Sequence, residues 1–134
     1  MPDGHVLVVE DDDSIRRLLV DYLRDMVHID VDGARDGVEA LHQVATKSYG
    51  VIVLDLMMPY MSGIDFLTSL QALAFDPSVK SLEETPAVVV ITSAPPEDVS
   101  SEELQRRFRT FVRGVLRKPL DIPRLGGYVE SLLR

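Results

Sequence analysis

The stretch Val51-Ile52-Val53-Leu54-Asp55-Leu56-Met57-Met58-Pro59 decides the fold of this chain. Its first four residues are apolar, and the run lies between Gly50 and Pro59, which predicts a short strand buried on both faces of a parallel sheet. Asp55 follows at the carboxyl end of this strand. A carboxylate at such a position needs a partner, and open α/β sheets bind ligands outside the carboxyl ends of their strands. Asp55 is therefore the first candidate functional residue.

Composition limits the class of protein. The chain has 134 residues, of which 46% are hydrophobic, and this predicts one domain spanning residues 1–134 around a single core. No apolar run approaches the length of about 18 residues that a membrane span needs. Residues 1–5 have no charged-then-apolar leader, so we expect no signal peptide and a cytoplasmic location. The absence of cysteine excludes disulfides, thiolate metal sites and cysteine nucleophiles.

The formal net charge of −8 is unevenly distributed. Residues 1–60 carry 12 acidic and 5 basic side chains, whereas residues 106–118 carry six basic side chains and no acidic one. Nucleic-acid affinity comes largely from neutralised phosphates, so we expect an acidic chain of this kind not to bind nucleic acid directly. We interpret the basic run as a solvated face, with a patch that binds a protein partner as the alternative.

Hydrophobic periodicity predicts five strands that alternate with five helices. The strands are predicted at 5–9, 27–32, 51–54, 87–91 and 114–116, and the helices carry their apolar residues within 15–26, 38–45, 64–74, 104–111 and 125–133. We expect the last helix to fray or to begin late, because it contains Gly126 and Gly127.

Such an alternation of strands and helices specifies an α/β fold with a doubly wound parallel sheet. Right-handed crossovers favour the flavodoxin-like strand order 2-1-3-4-5. The second predicted strand alternates apolar and polar residues, which places it at an edge, whereas strands 1, 3 and 4 are apolar throughout and belong inside the sheet.

Acidic residues also follow the first strand. In the predicted order strands 1 and 3 are neighbours, so Glu10 and Asp11 lie at the same edge as Asp55. Three carboxylates in one place raise one another's pKa unless a cation lies among them. Oxygen ligands without His or Cys indicate a hard ion, and we expect Mg²⁺. The alternative is that Glu10 and Asp11 merely favour the positive N-terminus of the following helix, which leaves Asp55 unexplained.

Strands 4 and 5 end in Thr92 and Lys118 at the same predicted edge. A hydroxyl donor and an ammonium group beside carboxylates and Mg²⁺ form a site suited to a tetrahedral oxyanion, of which a phosphoryl group is the natural example. Taken singly, Thr92 is better interpreted as a turn residue and Lys118 as a surface lysine. Four strand ends that each carry a suitable polar group favour the joint interpretation.

The chain resembles a response-regulator receiver domain of two-component signalling, and is similar to the single-domain chemotaxis regulators. The resemblance covers residues 5–133 and rests on four motifs: Val8-Val9-Glu10-Asp11, Leu54 to Pro59 with Gly63, Ile91-Thr92-Ser93-Ala94, and Lys118-Pro119.

This resemblance implies that Asp55 accepts a phosphoryl group from the phosphohistidine of a sensor histidine kinase or phosphotransfer protein. It also implies that Glu10, Asp11, Asp55 and the backbone carbonyl of Met57 bind Mg²⁺. Such a domain is a signalling domain rather than an enzyme acting on other substrates, and catalyses only its own phosphorylation and dephosphorylation.

The resemblance further implies that Thr92 senses the phosphoryl group, that Lys118 contacts it, and that the Lys118–Pro119 bond is cis. Phosphorylation would then switch the conformation that a downstream partner recognises. Receivers usually place an aromatic side chain three residues before the lysine, but Val115 occupies that position here. We therefore expect the switch to act through the loop after Thr92 and the helix near 104–111.

Two further positions bear on how long a phosphoryl group would last. In the family, residues two beyond the phosphoacceptor and two beyond the threonine modulate the hydrolytic water. Here they are Met57 and Ala94, whose side chains cannot orient water by hydrogen bonding. We therefore expect slow autodephosphorylation.

Three alternative functions share features with this sequence. Flavin binding is disfavoured, because the first loop carries acids where a flavin phosphate would need Ser, Thr or Gly donors. A phosphohydrolase of the haloacid-dehalogenase type needs a second Asp two residues after the first, and Met57 stands there. A receiver-like interaction module that is never phosphorylated stays open. We name the region 104–117 as the candidate surface for a downstream target.

Overall fold

A parallel β-sheet forms the centre of the protein. A computed structural model, which describes residues 4–133, contains five parallel strands in the order β2-β1-β3-β4-β5. They are β1 (His5–Val9), β2 (Asp30–Ala34), β3 (Val51–Asp55), β4 (Ala87–Thr92) and β5 (Val112–Arg117). The predicted fold class and strand order are confirmed. Residues 1–3 and 134, which belong to the predicted domain and to the N-terminus predicted to lack a leader, lie outside the described residues.

Five α-helices connect and flank the strands: α1 (Asp13–Met26), α2 (Gly37–Thr46), α3 (Gly63–Ala74), α4 (Ser101–Arg107) and α5 (Ile122–Leu132). Each is preceded by a side chain that accepts a hydrogen bond from an amide of the first turn, as Asp12 does from Ile15 N at 3.0 Å. Because each helix begins just after a strand ends, all five helix N-termini lie toward the carboxyl edge of the sheet. A short 3₁₀ helix (Lys80–Leu82) precedes β4.

The core has two layers, one on each face of the sheet. All five residues of β3 and all six of β4 are buried, as continuous apolar runs predict for central parallel strands. α2, α3 and α4 cover one face, and α1 and α5 cover the other. Among the described residues, the buried polar or charged side chains lie where strands end: Glu10, Asp55 and Thr92.

Several predicted boundaries were wrong, and β2 ends at Ala34 rather than at Asp32. β2 begins at Asp30 rather than Val27, because the chain leaves α1 through His28 in a left-handed conformation with φ 59°. α4 ends at Arg107, so Phe108 and Phe111 are buried outside the helix. β5 accordingly begins at Val112, two residues before the predicted start.

Helical spacing overestimated how much of α1 and α2 is buried. Leu19 and Leu23 are 1% exposed, but Leu18 is 55% and Met26 67% exposed, and Val38 in α2 is 45% exposed. A helix that lies on a flat sheet buries a narrow stripe of side chains, so residues at the border of an apolar face stay in contact with solvent.

The expectation that α5 frays or begins late was wrong. The helix begins at Ile122, directly after its N-cap Asp121, and continues through both glycines. A Cβ on Gly126 would lie 2.7 Å from Cε1 of Tyr22 in α1, whereas a Cβ on Gly127 would meet nothing within 4 Å. Gly126 therefore permits the close contact between α1 and α5.

Candidate functional site

Asp55 lies at the carboxyl end of β3 and is only 2% exposed. Its Oδ1 accepts a hydrogen bond from Met57 N at 3.1 Å, and its partner in the adjacent strand β4 is Ile91. The loop that follows turns back tightly, since Gly63 N donates to Leu56 O at 2.9 Å. A Cβ on Gly63 would lie 2.7 Å from Leu56 Cα, so this turn requires glycine.

Glu10 and Asp11 reach the same place from β1, which pairs with β3. Glu10 is fully buried, and its backbone is fixed by a bond from its amide to Ala34 O at 3.0 Å and by a bond from Arg16 Nη1 to its carbonyl at 2.9 Å. One carboxylate oxygen each from Glu10, Asp11 and Asp55 can be chosen so that all three lie within 4.8 Å of one another. The predicted acidic cluster therefore exists.

Lys118 reaches this cluster from the segment after β5. Its Nζ lies 2.9 Å from Glu10 Oε1 and 3.5 Å from Asp55 Oδ2. Its amide donates to Thr92 O at 2.8 Å, which holds the start of this segment against the end of β4. The Lys118–Pro119 peptide bond is cis, as the resemblance implied.

Thr92 is the last residue of β4 and is fully buried. Its Oγ1 accepts a hydrogen bond from Ala94 N at 3.0 Å. The hydroxyl hydrogen of Thr92 stays available as a donor while its oxygen accepts this bond. Thr92 thus joins the carboxyl edge of the sheet to the loop that precedes α4.

The charges at the site influence one another. Burial raises the pKa of Glu10, and the nearby carboxyl group of Asp55 raises it further, although Lys118 opposes both. Burial and the nearby carboxyl group of Glu10 raise the pKa of Asp11. Burial alone would lower the pKa of Lys118, but its bonds and attraction to Glu10 and Asp55 outweigh that effect and raise it. Three carboxyl groups thus face a single ammonium group, and the raised pKa values of Glu10 and Asp11 reflect burial and this crowding.

The donor set fits a hard divalent cation. Three carboxylates within reach of one point, with no His or Cys among them, suit Mg²⁺, which takes a few carboxylates and keeps several waters. Glu10 Oε2 is buried and has no hydrogen-bond partner among the described residues. A buried anionic oxygen without a donor is costly unless a cation approaches it, so this atom supports a metal beside the cluster.

Sequence reasoning missed the structural role of two arginines. Arg16 of α1 was not singled out in the sequence, but its guanidinium donates to the Glu10 carbonyl. Arg117 was counted within the basic run, but its guanidinium bonds to Ala94 O and Val99 O at 2.9 and 2.7 Å. The one signal available in the sequence was the position of Arg117 beside Lys118 at a strand end. Four other arginines of the run are exposed, as predicted for a solvated face: Arg106, Arg107, Arg109 and Arg113.

An apolar groove adjoins the polar site. This groove of about 500 Å³ adjoins Lys118 and is lined mainly by apolar residues of α1 and of the segment after β5. These residues are Ile15, Leu18, Pro119, Leu120 and Ile122. Tyr60, in the loop after β3, is 94% exposed and has a left-handed backbone with φ 69°. Over residues 4–133, no helix has the length and apolar character needed to cross a bilayer.

Comparison with known proteins agrees with this geometry. The sequence profile of a family described as the response regulator receiver domain matches residues 6–130. Among solved structures, the fold is similar to the receiver domain of the Francisella response regulator 1452, with a TM-score of 0.74 and 29% identity over 96% of this chain and 95% of that one. It is also similar to chemotaxis protein CheY4 of Vibrio cholerae, with a TM-score of 0.75. CheY4 is 26% identical, and the match covers 98% of this chain and 99% of that one.

Two curated relatives are much longer than this chain. Protein-glutamate methylesterase/protein-glutamine glutaminase 5 of Myxococcus xanthus is 43% identical over 90 residues, which are 66% of this chain and 23% of that protein. Sensor protein EvgS of Escherichia coli K12 is 34% identical over 71 residues, which are 53% of this chain and 6% of that protein. The chain thus spans less than a quarter of either relative.

Proposed function

Because this chain belongs to the response regulator receiver family, a signalling domain of two-component systems, we propose that it accepts a phosphoryl group on Asp55. Receivers interact with histidine kinases or phosphotransfer proteins, and we propose a phosphohistidine of such a protein as the donor. The observation that carries the proposal is the contact of buried Asp55 with Lys118 beside Glu10 and Asp11.

In the proposed reaction, a carboxylate oxygen of Asp55 attacks phosphorus in line. The new O–P bond forms as the P–N bond to the donor imidazole breaks, and the imidazole leaves with the electron pair and takes a proton from solvent. The ammonium group of Lys118 already lies 3.5 Å from Asp55 Oδ2. Its positive charge therefore stabilises negative charge on the transferring phosphoryl group. Thr92 supplies the hydroxyl donor to the product.

The proposed metal is Mg²⁺, held by Glu10, Asp11, Asp55 and the backbone carbonyl of Met57. When bound, it neutralises charge on the phosphoryl oxygens during transfer. The clustered carboxylate oxygens and the unpartnered Glu10 Oε2 support the first part of this ligand set. The role of the Met57 carbonyl rests on the family resemblance alone.

Phosphorylation would switch the domain through new contacts. A phosphoryl dianion bonds with Thr92 and Lys118 in a way that the bare carboxylate cannot, and this differential contact can shift a loop between two arrangements. We propose that the loop after Thr92 and α4 respond. Met57 and Ala94 offer no polar side chain to a hydrolytic water, so we propose that the phosphorylated form decays slowly.

Two surfaces are proposed for partners. The apolar groove beside Lys118 receives the donor protein, since a phosphohistidine must be brought next to Asp55 and a groove lined by Leu18 and Ile122 offers apolar contact there. The exposed arginines of residues 106–113 form the candidate target surface, which would favour an acidic partner. We propose no direct contact with nucleic acid, and a location in the cytoplasm, where the kinases act.

The test is incubation of the protein with acetyl phosphate and Mg²⁺, followed by intact-mass and peptide analysis. The expected result is one added phosphoryl group on Asp55, lost in Asp55→Asn and kept in the control Asp65→Asn, which alters an exposed carboxylate of α3. A protein that stays unmodified under these conditions and with a phosphohistidine donor would be an interaction module instead. Repeated turnover of phosphate esters would indicate a hydrolase.

A further inference from the structure

The guanidinium of Arg117 holds the loop between β4 and α4 at two separated points. Nη1 donates to Ala94 O at 2.9 Å, near the start of the loop. Nη2 donates to Val99 O at 2.7 Å and to Ser101 Oγ at 3.3 Å, where the loop enters α4. The side chain of Arg117, on β5, therefore bridges both ends of the loop between β4 and α4.

The burial of the loop follows these contacts. Ala94, Val99 and Ser101 are half-buried, whereas the residues between them, 95–98, are exposed. Within the loop, amides of Asp98 and Val99 bond only to Pro95 O, which closes a local turn but does not attach it to the sheet. Hydrogen bonds from a charged donor are stronger than neutral ones. Arg117 thus supplies the main polar attachment of this loop to β5.

A continuous chain of contacts joins this attachment to Asp55. Arg117 pairs with Thr92 in the β4–β5 register, and the next residue, Lys118, contacts Asp55. Thr92 Oγ1 bonds to the amide of Ala94, whose carbonyl is held by Arg117. A shift of Thr92 toward a phosphoryl group on Asp55 therefore displaces a residue that Arg117 ties to the beginning of α4.

We infer that Arg117 is a positioning residue, which clamps both ends of the β4–α4 loop to β5 and links Thr92 to α4. The inference rests on the proposed function for its coupling to phosphorylation, while the clamp itself concerns the unmodified protein. It also explains how a chain with Val115 at the position of the usual aromatic side chain connects its site to α4, since the connection is polar and lies two residues farther along β5.

The first experiment measures amide hydrogen exchange in the unmodified protein. Arg117→Met should accelerate exchange in residues 94–101 by at least about tenfold, the order expected when hydrogen bonds to a charged group are lost. Arg117→Lys should recover protection at only one end, because a single ammonium cannot bridge both. The control is Arg124→Met, which removes an exposed arginine from α5. Unchanged exchange in Arg117→Met would overturn the clamp, provided that circular dichroism shows a folded protein.

The second experiment follows α4 after treatment with acetyl phosphate and Mg²⁺. Wild type and Arg124→Met should show altered amide shifts in residues 101–107, whereas Arg117→Met should gain the phosphoryl group at a similar rate but lose that response. An α4 response of wild-type size in Arg117→Met would overturn the link. If no variant or wild type gains a phosphoryl group, the proposed function fails, and the exchange result on the unmodified protein still decides the clamp.

Discussion

Nζ of Lys118 lies 2.9 Å from Oε1 of Glu10, although 108 positions separate the two residues in the chain. The parallel sheet makes this contact possible, because β1, β3, β4 and β5 all end at one edge. Because the Lys118–Glu10 contact lies within the acidic cluster, it should affect both the binding of a metal ion and the stability of the fold. Both effects can be measured.

The first prediction concerns Mg²⁺ and pH. The pKa of Glu10 is raised in the fold, so ionisation of Glu10 removes stability as pH rises through that raised pKa, and a cation restores it. Saturating Mg²⁺ at about 100 times its dissociation constant should add about 2.7 kcal/mol to the free energy of unfolding at pH 8. The gain should shrink as pH falls and protons compete for Glu10 and Asp11.

Thermal and denaturant unfolding with and without Mg²⁺ would measure this effect. Asp11→Asn should reduce the gain, whereas the control Asp12→Asn removes a neighbouring charge but retains an oxygen that can cap α1. Equal losses in the two variants would show that general acidity, rather than the cluster, attracts the ion.

The second prediction concerns Lys118. Without Mg²⁺, Lys118→Met should lower the free energy of unfolding by about 1–3 kcal/mol, because buried Glu10 and Asp55 lose a charged donor. The pKa of Lys118 is raised in the fold, so its contribution is complete below the ordinary value of 10.5 and disappears as pH rises through the raised pKa.

Denaturant titrations at a series of pH values would follow this loss, and Mg²⁺ should offset part of it. The control Lys80→Met removes an exposed partner of Glu83 and should cost less than about 0.5 kcal/mol. A Lys118→Met protein as stable as wild type at neutral pH would contradict the prediction.

The third prediction uses the adjacent glycines of α5. Gly127→Ala should stabilise the protein by about 0.5–1 kcal/mol, because alanine favours the helix and nothing lies within 4 Å of the new methyl group. Gly126→Ala should destabilise it by about 1–3 kcal/mol, since the methyl group would lie 2.7 Å from the Tyr22 ring. In thermal unfolding, each variant serves as the control for the other. Midpoint temperatures that shift in the same direction would contradict the prediction.

The fourth prediction separates the donor groove from the acceptor chemistry. Leu18→Asp should slow phosphotransfer from a phosphohistidine protein by about tenfold, because a charge enters an apolar contact surface, while leaving phosphorylation by acetyl phosphate unchanged. Met26→Asp is the matched control, as Met26 is similarly exposed on the same helix but does not line the groove. Equal transfer rates for the two variants would exclude the groove as the docking surface.

The sequence predicted the structure best for the strands that are buried on both faces of the sheet. β3 and β4 are unbroken apolar runs, and each ends at the polar residue predicted to end it, Asp55 or Thr92. Glu10 and Asp11 lie beside Asp55 because β1 and β3 are neighbours, whereas Lys118 follows β5 and reaches Asp55 across the end of β4.

The sequence predictions failed where the environment of a side chain depends on tertiary packing rather than on the local hydrophobic pattern. Helical spacing could not show that Leu18 stays in solvent, because that depends on how α1 lies on the sheet. Composition placed Arg117 on a solvated face, whereas the loop carbonyls that it binds, at Ala94 and Val99, are brought to it only by the path of the chain after β4. Local sequence does not encode such a path.

Neither the exposure nor the backbone conformation of Tyr60 favours the stability of the fold. Its ring is almost entirely in solvent, so it adds little to the hydrophobic core, while its left-handed φ of 69° suits Gly or Asn better than an aromatic residue. A library randomised at this codon and screened for thermal resistance should drift away from tyrosine. If the same library were screened instead for response to a cognate kinase, retention of the aromatic ring would reveal that it is kept for a partner.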